Sequence, residues 1–299
     1  MTIPEGPEGR PDLDELAERS RWLRREVFEM VLRQHEGHVP SSFSMAEILV
    51  TLYYGGILRW TRGNASAPER DRLIISKGHA AMALYPILAD IGYFPREELE
   101  RFAQPGGLLG MYADIRIPGI EGISGSLGHG LGMACGFCYA ARAAGQSHRS
   151  FVVLGDGECY EGSVWESAMF AAHHGFDNLV AIVDRNALCI LGETEQFVRM
   201  EPLDEKWRAF GWHVERVDGH SLSELSAAFE LIGRTGGRPL AIVADTVKGK
   251  GISFMEGRSE WHNRMPDAAQ VEQARKELAG GRIGEGVHGG SASGQESAL

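Results

Sequence analysis

Cysteine is scarce in this chain: four in 299 residues. That is too few for a disulfide framework, and it points to a reducing compartment, the cytoplasm. A surplus of cations is also missing. The 30 lysines and arginines stand against 41 aspartates and glutamates, a net charge of −11. A nucleic-acid binder needs Lys and Arg to neutralise phosphates, so nucleic acid is excluded as the main partner. No apolar run approaches the roughly 18 residues of a membrane span, which excludes a membrane partner of that kind. The opening residues, MTIPEGPEGRPDLDE, are acidic and rich in Pro and Gly. They lack the basic start and apolar run of a signal peptide. A dinucleotide fingerprint is missing too. Gly128-His129-Gly130-Leu131-Gly132 comes nearest, but its spacing is wrong and no strand precedes it, which makes an NAD-linked dehydrogenase a remote alternative.

Glycine, by contrast, is abundant. It numbers 39 residues, about 13% against a usual ~7%. Seven of these lie in 280–299, a Gly/Ser-rich stretch that reads as a disordered tail, and 1–11 reads as a disordered lead. Fourteen more fall between Gly106 and Gly162, where the chemistry should be sought. Hydrophobic residues are 43% of the chain, enough for one large core.

The chain between these ends alternates. A long helix is expected over 12–35, with Leu16, Leu23, Val27, Met30 and Val31 on one stripe and Gly37 ending it. Ser44 and Glu47 match a capping box for a helix through Tyr54. RLIIS (72–76) reads as a buried strand, 78–91 as helix, Pro95 as the start of a short helix, 105–126 as loop, and 127–144 as a small-residue helix. SFVVL (150–154), LVAIVD (179–184), 213–217 and LAIVAD (240–245) read as strands, with helices over 163–174, around Trp207 and over 222–232. Continuous apolar strands alternating with helices predict an α/β fold, a mostly parallel sheet covered on both faces.

SFVVL runs into Gly155-Asp156-Gly157, and LVAIVD ends at Asp184-Arg185-Asn186. Ligands of an open parallel sheet bind beyond the carboxyl ends of its strands. A carboxylate from one strand end and an amide oxygen from the next can converge on a hard cation, with a backbone carbonyl after Asn186. Gly155 and Gly157 permit a sharp turn and a close backbone approach to an anion. Gly-Asp-Gly alone reads as an ordinary turn. Its pairing with an Asn one βαβ unit later points to a Mg²⁺–diphosphate site.

Residues 155–186, GDGECYEGSVWESAMFAAHHGFDNLVAIVDRN, match the thiamine-diphosphate motif, GDG followed about thirty residues later by N. The wider text, over 12–270, resembles the N-terminal, diphosphate-binding half of the transketolase family. Its landmarks are Gly37-His38, DRLIISKGHAAMALY, PGIEGISGSLGHG, the GDG block, DTVKGKGISFME and Trp261-His262, in family order.

The resemblance implies a thiamine-diphosphate domain over 12–279. It gives Asp156, Asn186 and the carbonyl of Leu188 to Mg²⁺, and the Gly157 amide to the diphosphate. Gly155, Glu158 and Leu191 join them as cofactor-binding positions. His79 and His262 match histidines near the diphosphate and the reacting centre, and His38 one poised over the thiazolium for proton transfer. Gly125, Ser126 and Leu127 match the loop against the aminopyrimidine. Glu161 matches a Glu linking two cofactor sites across an interface. Lys248 and Lys250 resemble a loop closing near the active site. His173 and His174 read as surface or core positions. Cys135 and Cys138, without a second pair, do not read as a zinc site, and Cys159 and Cys189 read as packing residues.

The chain departs from the family pattern at three places. Gly110 is followed by Met111 and Tyr112 where a Gly-His-Pro supplies a histidine to the donor ketose. Val39-Pro40 follows His38, and His129 replaces a Gln. These changes bear on donor choice. The family also needs a pyrimidine-binding domain. Its absence here implies a split enzyme, an α₂β₂ heterotetramer with a C-terminal transketolase subunit. The implied reaction moves a two-carbon ketol unit from a ketose or ketose phosphate to an aldehyde by cofactor catalysis. A specialised enzyme with an unusual donor or a carrier-bound lipoyl acceptor, and a non-catalytic cofactor-binding subunit, stay open beside it.

Overall fold

The computed structural model describes residues 12–280. The expected lead over 1–11 and the tail beyond Gly280 lie outside the described residues. In chain order the helices are α1 (Leu13–Gln34), α2 (Val39–Phe43), α3 (Ala46–Tyr54), α4 (Leu84–Asp90) and α5 (Gly130–Ala143). They continue with α6 (Gly162–His174), α7 (Thr194–Phe197), α8 (Leu203–Ala209), α9 (Leu222–Phe229) and α10 (Ala268–Ala279). The strands are β1 (Arg72–Ile75), β2 (Ser150–Gly155), β3 (Leu179–Arg185), β4 (His213–Asp218) and β5 (Leu240–Asp245). They form one five-stranded sheet in the order β1-β2-β3-β5-β4. Every pairing is parallel, so all carboxyl ends lie along one edge.

Successive strand residues face opposite layers, and the two cores separate accordingly. Leu73, Phe151, Val153, Val180, Ile182 and Ile242 pack with apolar residues of α1, α3, α4, α9 and α10. Ile74, Val152, Leu154, Ala181, Val183 and Val243 pack with α5, α6 and α8, including Trp207 and Trp212. Burial on both faces explains why these strands read as unbroken apolar runs.

The stripe expected on α1 is buried as expected, but the helix stops at Gln34, three residues before Gly37. His35 takes the left-handed conformation (φ 52°) and caps it. The Ser44–Glu47 capping box is corrected. Met45 stands at the N-cap of α3 with no side-chain bond. Ser44 Oγ instead donates to Asp184 (2.6 Å), and Glu47 binds Arg24 across to α1 (2.6 Å). Buried charges claim both side chains before the helix end can. The 78–91 helix is divided, a 3₁₀ segment over Gly78–Ala83 followed by α4. The helix expected from Leu127 begins at Gly130, with His129 at its N-cap.

Candidate functional site

The carboxyl ends of β2 and β3 meet as the strand patterns required. Gly155 and Asp184 are register partners in the sheet. Asp156, 2% exposed, accepts the Ala187 amide on Oδ2 at 2.7 Å. The same oxygen accepts Arg185 Nη1 at 2.9 Å. Burial pushes the Asp156 carboxyl above the usual range, against the pull of Arg185. A nearby dication would favour the charged form instead.

The chain then turns on Ala187, which takes a left-handed φ of 64°. Asn186 Oδ1 accepts the Leu188 amide at 3.1 Å, and a Leu188–Glu193 bridge closes the turn. The Leu188 carbonyl accepts Lys248 Nζ at 3.4 Å. Asp156 Oδ2 and Asn186 Oδ1 thus accept successive amides of the turn that carries the Leu188 carbonyl, which puts the three groups at two adjacent strand ends. Among the described residues no group of three or more His, Cys, Asp or Glu could hold a metal. A cation here would depend on one carboxylate, one amide oxygen and one carbonyl, with ligand oxygens completing the shell. That donor set suits Mg²⁺.

Three histidines face one another beside this cluster. His38 begins α2, His79 lies in the 3₁₀ turn after β1, and His262 follows the 3₁₀ turn Ser259–Trp261. Their ring centroids are 5.4, 5.0 and 5.2 Å apart. Burial, then the charge of Lys77, lowers His79 to about 2. Burial and Lys248 lower His262 to about 3, and the same two causes lower His38. All three are neutral imidazoles at pH 7, each with one ring nitrogen that can accept a hydrogen bond.

His38 Nδ1 and His262 Nδ1, on rings whose centroids are 5.0 Å apart, are buried without a hydrogen-bond partner. Buried polar atoms are nearly always satisfied, so this pair of orphans fits the polar atoms of a bound molecule. Gly125 faces open space, and Gly125 and Ser126 are exposed. A Cβ at Gly157 would come within 3.3 Å of Cys189 Cβ, so the small residue keeps that turn clear.

The Gly157 amide donates to Asp156 Oδ1 at 2.9 Å. The Glu158 carboxylate points inward. It takes the Gly128 and Gly155 amides at 2.8 and 3.0 Å and the Ser76 hydroxyl, tying three segments together. Glu161 is exposed, without a side-chain hydrogen bond as N-cap of α6. Leu191 is 74% exposed beside Ile190. Tyr112 is 46% exposed, and the preceding Gly110 carbonyl accepts Tyr85 Oη at 2.9 Å. His129 is exposed with its ring on the Leu127 carbonyl. Cys135 and Cys138 are free and buried.

The charged floor of the site was not anticipated from the sequence. Lys77 pairs with Asp184, 2% and 0% exposed, and the Ser44 and Thr246 hydroxyls complete the carboxylate's shell. Burial alone would raise Asp184, but the Lys77 charge holds it below the usual carboxylate range. Lys248, 2% exposed, is lowered to about 8 by burial and then by Lys77. A lysine directly after an apolar strand, and an aspartate ending another, were the available signals for the Lys77–Asp184 pair.

Known proteins share this chain's sequence pattern and fold. Residues 16–281 match the family described as "Transketolase, thiamine diphosphate binding domain". The chain is 41% identical over 250 residues to a 6-deoxy-6-sulfo-D-fructose transketolase subunit of Clostridium sp. (strain MSTE9), covering 83% of this chain and 90% of that one. It is 37% identical over 256 residues to an apulose-4-phosphate transketolase subunit of Phocaeicola vulgatus, covering 86% and 91%. The crystal structure of a transketolase from Campylobacter jejuni superposes with a TM-score of 0.84 at 29% identity. That match covers 89% of this chain and 43% of the other, so the chain spans less than half of that single-chain enzyme.

Proposed function

Since this chain belongs to the transketolase thiamine-diphosphate-binding family, we propose that it is the diphosphate-binding subunit of a two-component transketolase. The observation that carries this reading is Lys248, whose ammonium lies 3.4 Å from the Leu188 carbonyl and whose charge acts on His38 and His262, so that it links the Asp156–Asn186–Leu188 turn to the three histidines. One subunit thus holds both a hard-cation site and proton-transfer groups. The near-complete coverage of relatives that are themselves named as subunits supports the split organisation. Residues 12–279 make the binding domain. A C-terminal subunit supplies the pyrimidine-binding face, and the assembly is α₂β₂. The exposed Glu161, without a side-chain hydrogen bond at the start of α6, supports its place at a subunit interface. Four free cysteines support a cytoplasmic location.

Asp156, Asn186 and the Leu188 carbonyl would hold Mg²⁺, which would neutralise the charge of the diphosphate. When bound, thiamine diphosphate supplies a nucleophilic carbon that carries a two-carbon unit from donor to acceptor. Lys248 adds a cation beside the Leu188 carbonyl, where anionic charge must be neutralised. Lys77 and Asp184 cancel each other below, fixing the floor without adding net charge. Gly125 and Ser126, exposed, and the half-buried Leu127 would face the aminopyrimidine. His38, His79 and His262 are neutral, so each would offer a ring nitrogen to hydrogen-bond a substrate hydroxyl at the reacting centre, the place of the proton transfers that the reaction needs. Their buried setting, with Lys77 and Lys248 nearby, keeps them from being trapped as cations.

The donor is a ketose or ketose phosphate and the acceptor an aldehyde. The names of the two relatives carry a sulfonated and a phosphorylated sugar, which supports an anionic donor. Met111 and Tyr112, where the family has a donor-contacting histidine, favour a specialised donor. The test is co-expression with the chain that carries the pyrimidine-binding domain, then a donor screen with thiamine diphosphate and Mg²⁺. Ketol transfer by the pair and none by either chain alone is expected. If a pair that binds the cofactor turned over no ketose, a non-catalytic, cofactor-binding role would become the better reading.

A further inference from the structure

His220 lies in the turn after β4, outside every group invoked above. Its two ring nitrogens have fixed roles. Nε2 is 2.8 Å from the Val247 amide, which can only donate, so Nε2 carries no proton. The proton is then on Nδ1, which donates to Glu47 Oε2 at 2.9 Å. Glu47 is 5% exposed and is gripped by Arg24, 1% exposed, at 2.6 and 2.7 Å. Arg24 also donates to the Phe43 carbonyl at the end of α2, the helix that His38 begins.

A buried ion pair of this kind is weak as a source of stability, because an apolar replacement of equal volume often does as well. What it provides is direction. Val247 stands between two residues already in the site. Thr246 donates its hydroxyl to Asp184, and its amide to the Arg185 carbonyl at 3.0 Å. Lys248 reaches the Leu188 carbonyl at 3.4 Å. Past Lys248, the Gly249 amide binds the Pro40 carbonyl at 3.0 Å. The loop after β5 is therefore pinned on both sides of Lys248, and His220 holds the amide immediately before it.

We propose that His220 is the positioning residue for Lys248: Glu47 fixes its tautomer, and its Nε2 holds the Val247 amide so that the Lys248 ammonium stays over the Asn186–Leu188 turn. The inference rests on the reading of Lys248 as a cofactor-facing cation.

Two variants separate the bonds. His220→Gln places a carbonyl oxygen near the Nε2 position and keeps an acceptor for Val247. His220→Asn places an NH₂ near the Nδ1 position and keeps a donor for Glu47. Each is assembled with its partner chain, and thiamine diphosphate is titrated in the presence of Mg²⁺, alongside thermal midpoints and the KM and kcat of the cofactor-dependent reaction. We expect His220→Asn to weaken cofactor binding by about tenfold, the scale of one directed hydrogen bond, with His220→Gln within about threefold of wild type. The loss should appear in the cofactor KM more than in kcat. Comparing the two variants cancels general destabilisation. Equal affinities, or the reverse order, would overturn the proposal. In the wild-type assembly the Val247 amide should exchange slowly with deuterium, and fast exchange would overturn it without any variant. Lys248→Met is the control. Wild-type cofactor affinity in that variant removes the underlying reading of Lys248. Weakened affinity there, with His220→Asn unaffected, removes only the positioning role.

Discussion

Asp156 and Arg185 form a buried ion pair, 2.9 Å from Oδ2 to Nη1, at the point where the ends of β2 and β3 meet. Arg185 is not committed to Asp156 alone, since its Nε binds Glu201 at 2.9 Å. Loss of the Asp156 carboxylate therefore leaves a guanidinium that still has a counter-ion. Asp156→Ala is expected to fold, at a cost of about 1–3 kcal/mol, below the ~3–5 of an orphaned buried charge. It should lose Mg²⁺-dependent thiamine diphosphate binding. Calorimetric titration with and without Mg²⁺, on the variant assembled with its partner, measures this. Undiminished Mg²⁺-dependent affinity would remove Asp156 from the cation site.

The turn carrying His79 touches the 124–127 loop with no room to spare. A Cβ on Gly78 would lie 1.9 Å from the Ser124 carbonyl oxygen and 2.6 Å from its carbon. Both contacts are to backbone, so neither can move aside as a side chain would. Gly78→Ala should cost about 3 kcal/mol or more and push the loop away from His79, weakening cofactor binding at least about tenfold. Gly125→Ala, with nothing within 4 Å of its Cβ, should keep the wild-type urea midpoint. Equal midpoints for the two variants would show that the 78–124 approach is not a constraint.

Much of this arrangement is legible in the sequence because it is local. The strands announce themselves as apolar runs, and each site oxygen lies within a few residues of a strand end. Asp156, Asn186 and Leu188 need only a parallel register to meet. The charged floor is not local. Lys77 and Asp184 are 107 residues apart in sequence, and Arg24, Glu47 and His220 come from three separate elements. Nothing in Ser44 or Glu47 alone distinguishes a helix cap from a partner to a buried charge. The capping-box pattern was present, and the tertiary ion pairs overruled it.

Acid should reveal the Glu47 ion pair. Burial would raise this carboxyl, but the Arg24 charge and the His220 hydrogen bond prevail and lower it to about 2, from an ordinary 4.5. A carboxylate with a lowered folded value contributes stability that is fully present above about 4.5. That stability is lost as pH falls toward 2, a few kcal/mol at most (about 3). Glu47→Gln lacks this term and leaves Arg24 without its counter-charge. Its unfolding free energy should lie below wild type at pH 7, and the gap should narrow steadily between pH 4.5 and 2. Denaturant melts at half-unit pH steps test this. A gap independent of pH would mean that Glu47 is not ionised in the folded protein.

Donor choice should depend on the segment after Gly110. The Gly110 carbonyl is anchored by the Tyr85 hydroxyl at 2.9 Å, so the position that follows is held by the core. Met111 occupies the place where the family supplies a histidine to a donor hydroxyl. A site that hydrogen-bonds a substrate hydroxyl discriminates strongly, while an apolar one does not. Met111→His should restore a donor or acceptor there. It should raise kcat/KM for unmodified ketose phosphates by about tenfold or more relative to the native donor. The affinity for thiamine diphosphate should not change, because the substitution touches no residue of the Asp156–Asn186–Leu188 cluster. A panel of phosphorylated, sulfonated and unsubstituted ketoses, run with the assembled pair, gives the selectivity ratio. An unchanged ratio with normal cofactor affinity would place the donor's discriminating contact on another residue, and the exposed Tyr112 would be the next to change.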